Sequence, residues 1–108
     1  MSAEGDGRRL AKFALLAPKA GREAELRDVL ERTRRAAQFE PGTLEWTTHD
    51  VQGHPGSVGL YELFESVDAA AAHDTTPAIV ALVASFDDLL SDDPVVYVLD
   101  VDRRRLDP

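Results

Sequence analysis

Two hydrophobic periods run along the chain. Leu10 to Leu16 is mostly apolar, with Lys12 as its only charge, and predicts a strand. Pro18 ends it, because proline cannot donate to a ladder. From about Arg22 to Phe39 the pattern changes. Leu26, Val29, Leu30, Thr33 and Ala37 recur at the spacing of one helical stripe. The opposite face carries Glu23–Arg27, Asp28–Arg32 and Glu31–Arg35, each an acid four residues before a base. Such pairs add about 0.2–0.5 kcal/mol each. Glu40-Pro41-Gly42 stops the helix and turns the chain.

Strict alternation returns at Leu44 to Asp50, with Leu44, Trp46 and Thr48 on one face and Glu45, Thr47 and His49 on the other. Gln52-Gly53-His54-Pro55-Gly56 is a turn-forming loop. The next strand is Ser57 to Glu65, with Val58, Leu60, Glu62 and Phe64 on one face and Gly59, Tyr61, Leu63 and Glu65 on the other. Both faces carry apolar bulk, so neither is expected to be fully wet. Ser66 is placed to cap a short alanine-rich helix, Val67 to His73. Thr75-Thr76-Pro77 starts another, proline suiting the first helical position. Its stripe is Ile79, Leu82, Val83, Phe86 and Leu90, and Asp92-Asp93-Pro94 breaks it. The β-branched run Val95 to Val101 is the last strand.

The order β-α-β-β-α-β predicts an α+β, ferredoxin-like fold: one four-stranded antiparallel sheet with helices on one face. The apolar residues of the uncovered face need a partner. A second copy of the chain supplies one most simply, so the pattern predicts a homodimer.

At 108 residues the chain suits a single domain. Residues 10–102 are expected to form it. Met1 to Arg9 is read as a flexible N-terminal tail, and residues 103–108, with the solvated run Arg103-Arg104-Arg105, as a C-terminal one. Twelve basic and twenty acidic residues give a net charge of −8, which argues against nucleic acid or an anionic membrane as partner. With no cysteine there are no disulfides, thiolate chemistry or iron–sulfur clusters. No stretch reaches the roughly 18 apolar residues of a membrane span, and the N-terminus lacks the apolar core of a secretory signal. A cytoplasmic protein is expected.

Three blocks carry a resemblance to a known family. Pro41-Gly42-Thr43-Leu44-Glu45-Trp46 resembles a turn-and-strand signature E-P-G-C-L-x-Y, Leu60 to Ser66 resembles L-Y-E-x-W-x-S, and Ala72 to Pro77 resembles A-H-x-x-S/T-P-H. Their order and placement are similar to those of the antibiotic biosynthesis monooxygenase domain, from about Leu10 to Val101. The resemblance implies a dimeric α/β barrel. It also implies one of several chemistries: cofactor-free oxygenation of anthrones and quinols, haem degradation, or isomerisation of phosphorylated sugars. The chain departs from the family's pattern in places. Phe64 stands where tryptophan is frequent, the first strand has no asparagine, and Ala78 replaces the second histidine of the third block. The later helix has no histidine to ligate haem, so haem degradation is not expected.

The histidines are His49, His54 and His73, and none has metal-ligand spacing with another. No nucleotide-binding glycine loop is present either, so neither metal nor cofactor is expected. His73 ends a short helix, where the dipole favours its protonated form, and it falls on the family's histidine. It is the candidate proton-transfer residue, with Tyr61 as a hydroxyl donor and Glu62 as a mid-strand carboxylate. Trp46 and Phe64 are candidate walls of an apolar pocket, with His49 as a further binding candidate. A base, a donor and a water-excluding pocket suffice to make a substrate anion that reacts with oxygen. The expected function is therefore a cofactor-independent monooxygenase acting on a small aromatic or quinol-type substrate. Two alternatives remain, a proton-shuttling isomerase and a non-catalytic dimeric small-molecule binder.

Overall fold

The computed structural model describes residues 8–102. The tails expected at 1–9 and 103–108 lie outside them, apart from Arg8 and Arg9. Seven elements follow in order: β1 (Leu10–Leu16), α1 (Glu23–Ala37), β2 (Thr43–Asp50), β3 (Val58–Phe64), α2 (Val67–Asp74), α3 (Pro77–Leu89) and β4 (Val95–Asp100). The strands form one antiparallel sheet in the order β2-β3-β1-β4. The ferredoxin-like topology is as the sequence predicts, with the second helical segment divided in two.

Each helix forms for a local reason. In α1 the stripe residues Leu26, Leu30, Thr33 and Ala37 are buried. The polar face pairs differently from the expected ladder: Glu31 binds both Arg34 and Arg35, while Arg27 reaches across to Asp50. Neither Glu23–Arg27 nor Asp28–Arg32 closes among the described residues. Ser66 caps α2, its Oγ accepting the Ala69 N–H at 3.0 Å. Proline occupies the first turn of α3.

The two sheet faces differ. On the helix side, Ala14, Leu16, Val58 and Leu60 pack with Leu26, Leu30, Ile79 and Leu82 into the core. On the open side the register aligns three rows across the sheet: Glu45-Leu63-Ala11-Leu99, Thr47-Tyr61-Phe13-Tyr97 and His49-Gly59-Leu15-Val95. These rows are polar toward β2 and apolar toward β1 and β4. All of β4 is exposed, Tyr97 to 58% and Val98 to 62%. Among the described residues no single helix is long and apolar enough to cross a membrane.

Candidate active site

One row on the helix side is not plain core. Trp46, Glu62, Lys12 and Val98 lie side by side across β2, β3, β1 and β4. A tryptophan, a carboxylate and an ammonium in the middle of an apolar face are costly to bury unless each finds a partner. Trp46 and Glu62 partner each other, and the end of α2 supplies the rest.

His73 stands in the last turn of α2 and turns inward, only 2% exposed. Two interactions fix the end of its helix: the Thr76 hydroxyl donates to the His73 carbonyl, and the Thr75 hydroxyl to that of Ala72. Its Nδ1–H donates to Glu40 Oε1 at 2.5 Å. The same oxygen accepts the Thr43 hydroxyl at 2.7 Å. Glu40 and Thr43 are the two ends of one turn, closed by the Thr43 N–H donating to the Glu40 carbonyl at 3.3 Å. Nε2 lies 3.1 Å from Glu62 Oε1, an ion-pair distance, and has no hydrogen-bond partner among the described residues. The Glu62 oxygen is already held by the indole N–H of Trp46 at 3.0 Å. The Phe64 ring packs on the imidazole, centroids 4.9 Å apart and tilted by 52°.

Burial by itself lowers the pKa of His73. The Glu62 and Glu40 carboxylates outweigh it, so the net shift is above the ordinary histidine value. Glu40 fixes the tautomer with the proton on Nδ1 and leaves Nε2 able to accept one, as an orienting carboxylate does in a hydrolytic triad.

His73 and Glu62 border a cavity of about 510 Å³ between the sheet and α3. Its walls are Ala14, Leu16, Trp46, Leu60, Ile79 and Phe86. Val83 and Phe86, the stripe residues of α3 that are not fully buried, line this space, and Phe86 also packs against the core. Among the described residues no cluster of three or more His, Asp or Glu side chains is arranged to hold a metal ion.

The structure thus brings His73, Glu62 and Trp46 together at one cavity. Phe64 is completely buried behind His73 and supports it without lining the cavity. Tyr61 and His49 are elsewhere. Both lie on the open sheet face, where Tyr61 pairs with Phe13 and Thr47, and His49 Nδ1 sits 3.1 Å from the Gly59 carbonyl oxygen. The expected sharing of one pocket by Tyr61 and His73 is corrected by strand alternation: Tyr61 and Glu62 are neighbours in sequence and face opposite ways. Glu40 and Lys12 were not singled out by sequence. Glu40 read as part of a helix stop. The sequence signal for Lys12 is a lone lysine within an apolar strand.

Residues 10–85 match the sequence model of the antibiotic biosynthesis monooxygenase family. No curated protein matches the chain in sequence. Solved structures do. A Nitrosomonas europaea protein of unknown function is 29% identical, with 96% of this chain and 99% of that one covered and a TM-score of 0.80. A Caulobacter crescentus protein, provisionally named an antibiotic biosynthesis monooxygenase, is 24% identical over 91% and 92% of the two chains, with a TM-score of 0.83. A Mycobacterium tuberculosis protein is 23% identical over 93% and 97%, with a TM-score of 0.79. The last two likenesses are of fold alone.

Proposed function

The chain belongs to the antibiotic biosynthesis monooxygenase family, and from that premise we propose that it is a cofactor-independent monooxygenase of small aromatic, quinol- or anthrone-type substrates. We propose further that it acts as a cytoplasmic homodimer. The observation that supports the catalytic reading is His73, buried between two carboxylates beside a largely apolar cavity, its Nε2 without a hydrogen-bond partner among the described residues.

The chemistry follows from those parts. Nε2 takes a proton from a phenolic hydroxyl or an acidic C–H of the substrate. Glu40 and Glu62 then hold the imidazolium from both sides. The substrate anion gives one electron to O2, and the two radicals combine to a peroxide on carbon. His73 returns the proton to the distal peroxide oxygen, giving a hydroperoxide. The hydrogen left on the oxygenated carbon then departs as a proton, its C–H electron pair forming the C=O bond as O–O breaks. The distal oxygen leaves as hydroxide, which that proton converts to water. For a substrate with a reactive methylene group, the methylene and one O2 become a ketone and one water. For a hydroquinone, the hydroquinone and one O2 become a hydroxyquinone and one water. The substrate supplies all the electrons, so the sequence needs no external reductant. A substrate seated against the apolar residues of the cavity displaces water that would otherwise reprotonate the anion.

Oxygen uptake with a panel of hydroquinones and anthrones tests this reading. Turnover of at least one is expected, and His73→Ala should lose about 10²–10⁴-fold in rate, the usual contribution of a general base. No uptake with any of them, or a His73→Ala rate within about threefold of wild type, would overturn it. The 3.1 Å approach of His73 to Glu62 favours one second reading, a proton-shuttling isomerase with a base and an acid at one cavity. That enzyme would exchange substrate C–H for deuterium in heavy water without consuming oxygen.

A further inference from the structure

Lys12 is the residue the mechanism above leaves unused. It sits mid-strand on the cavity-facing row, where a flexible charged side chain has poor strand propensity and a desolvation cost. Its side chain is 18% exposed. Glu62 is directly opposite in register, yet the ammonium bonds to Asp74 instead, at 3.0 and 3.2 Å. That pair is half open to solvent, since Asp74 is 53% exposed, and exposed pairs contribute only about 0–1 kcal/mol. Stability therefore gives little reason for a lysine here.

Position gives a better one. Asp74 follows His73, so its grip brings the ammonium to the same end of α2 as the imidazole. One Phe64 ring touches both groups: Nζ is 5.6 Å from its centroid and the His73 ring 4.9 Å. The described charged residues lining the cavity are otherwise mostly acidic: Glu62, Asp74, Asp87, Asp92 and Asp93. Lys12 is the one lysine or arginine among them. A substrate oxygen that gains negative charge as His73 removes a proton would be repelled by every other charge except the imidazolium.

We propose that Lys12 binds the substrate's anionic oxygen. Its ammonium exchanges Asp74 for a phenolate or enolate as that charge develops, and the cavity thereby selects substrates carrying an ionisable hydroxyl next to the reacting carbon. This rests on His73 as a base toward an acidic substrate, and it holds for oxygenation and isomerisation alike. Because the oxygen is bound by a point charge and not by a fixed donor pair, the site recognises charge more than shape.

The test uses 4-nitrophenol, whose ionisation is read from its absorption without turnover, so it succeeds or fails independently of oxygen uptake. The full chain should bind the probe mainly as phenolate at a pH where free probe is largely neutral. Lys12→Met should lower the bound phenolate-to-phenol ratio about tenfold or more, as expected for loss of an adjacent opposite charge. Lys12→Arg should keep the ratio, and Asp74→Asn, which frees the ammonium, should raise it. If Lys12→Met does not fold, the last two variants decide. The proposal is overturned if the wild type fails to bind the probe or binds it only as neutral phenol. It is equally overturned if Lys12→Met retains the wild-type ratio, if Lys12→Arg loses it, or if Asp74→Asn leaves it unchanged or lower.

Discussion

His73 owes its chemistry to the two carboxylates that face it, one from the turn after α1 and one from β3. Its pKa is above the ordinary value of 6.5 in the folded chain, so it is more protonated at neutral pH than a free histidine. A general base must be unprotonated, and the rising limb of the pH–rate profile should therefore lie above 6.5. Glu40→Gln removes one charge and keeps a group able to accept the Nδ1 hydrogen bond. The limb should then move to lower pH, and a limb that stays in place would show that Glu40 does not hold the imidazolium. The same linkage acts on stability. A histidine pKa raised on folding stabilises the fold fully below the unfolded value near 6.5, and this contribution is lost as pH rises through the folded value. The melting temperature of wild type should exceed that of Glu40→Gln by more at pH 6 than at pH 9.

At the scale of elements, α2 matters because it delivers His73, and its seat depends on one glycine. A Cβ added at Gly42 would meet the Ala69 Cβ at 2.5 Å, and an alanine methyl cannot swing aside. Gly42→Ala must push α2 away from the start of β2, the turn that also carries Glu40. Overpacking of this kind costs about 1–3 kcal/mol. Denaturant unfolding should show that loss, and activity per folded molecule should fall as well, because the His73–Glu40 contact spans the gap. An unchanged midpoint would mean that the helix has room to move. The strands, the α1 stripe and the Ser66 cap were legible in the sequence because each is set by local periodicity or a single side-chain bond. The site was legible only in part. Alternation alone separates Glu62 from Tyr61, but no local pattern tells which sheet face lines the pocket. Glu40 was out of reach because its role depends on a contact with His73, thirty-three residues on, which no local pattern encodes.

The whole molecule presents an imbalance that one chain cannot correct. Helices cover one face of the sheet, while Val95, Tyr97 and Leu99 stand 42–58% exposed on the other, beside Phe13, Leu15 and Tyr61. Val96 and Val98, on the helix side of the same edge strand, are also exposed. A contiguous apolar surface of this kind on a small chain is the usual mark of an interface. The net charge of −8 opposes close approach of two copies at low salt, so the contact must be driven by apolar burial concentrated on the β1–β4 half of the face, away from Glu45 and His49. Two consequences follow for the expected homodimer. Sedimentation at micromolar concentration should show a dimer that persists, or strengthens, as salt rises. Tyr97→Asp, placing a charge in the middle of the apolar rows, should shift the equilibrium to monomer while leaving His73, on the opposite side of the sheet, in its native environment. Val96 also lines the cavity, so β4 borders both the expected interface and the cavity. Loss of the dimer should accordingly weaken substrate binding before it affects the proton-transfer step, raising KM more than it lowers kcat. A stable wild-type monomer would remove the basis for this expectation, and a Tyr97→Asp monomer with unchanged KM would confine the interface to a role in stability.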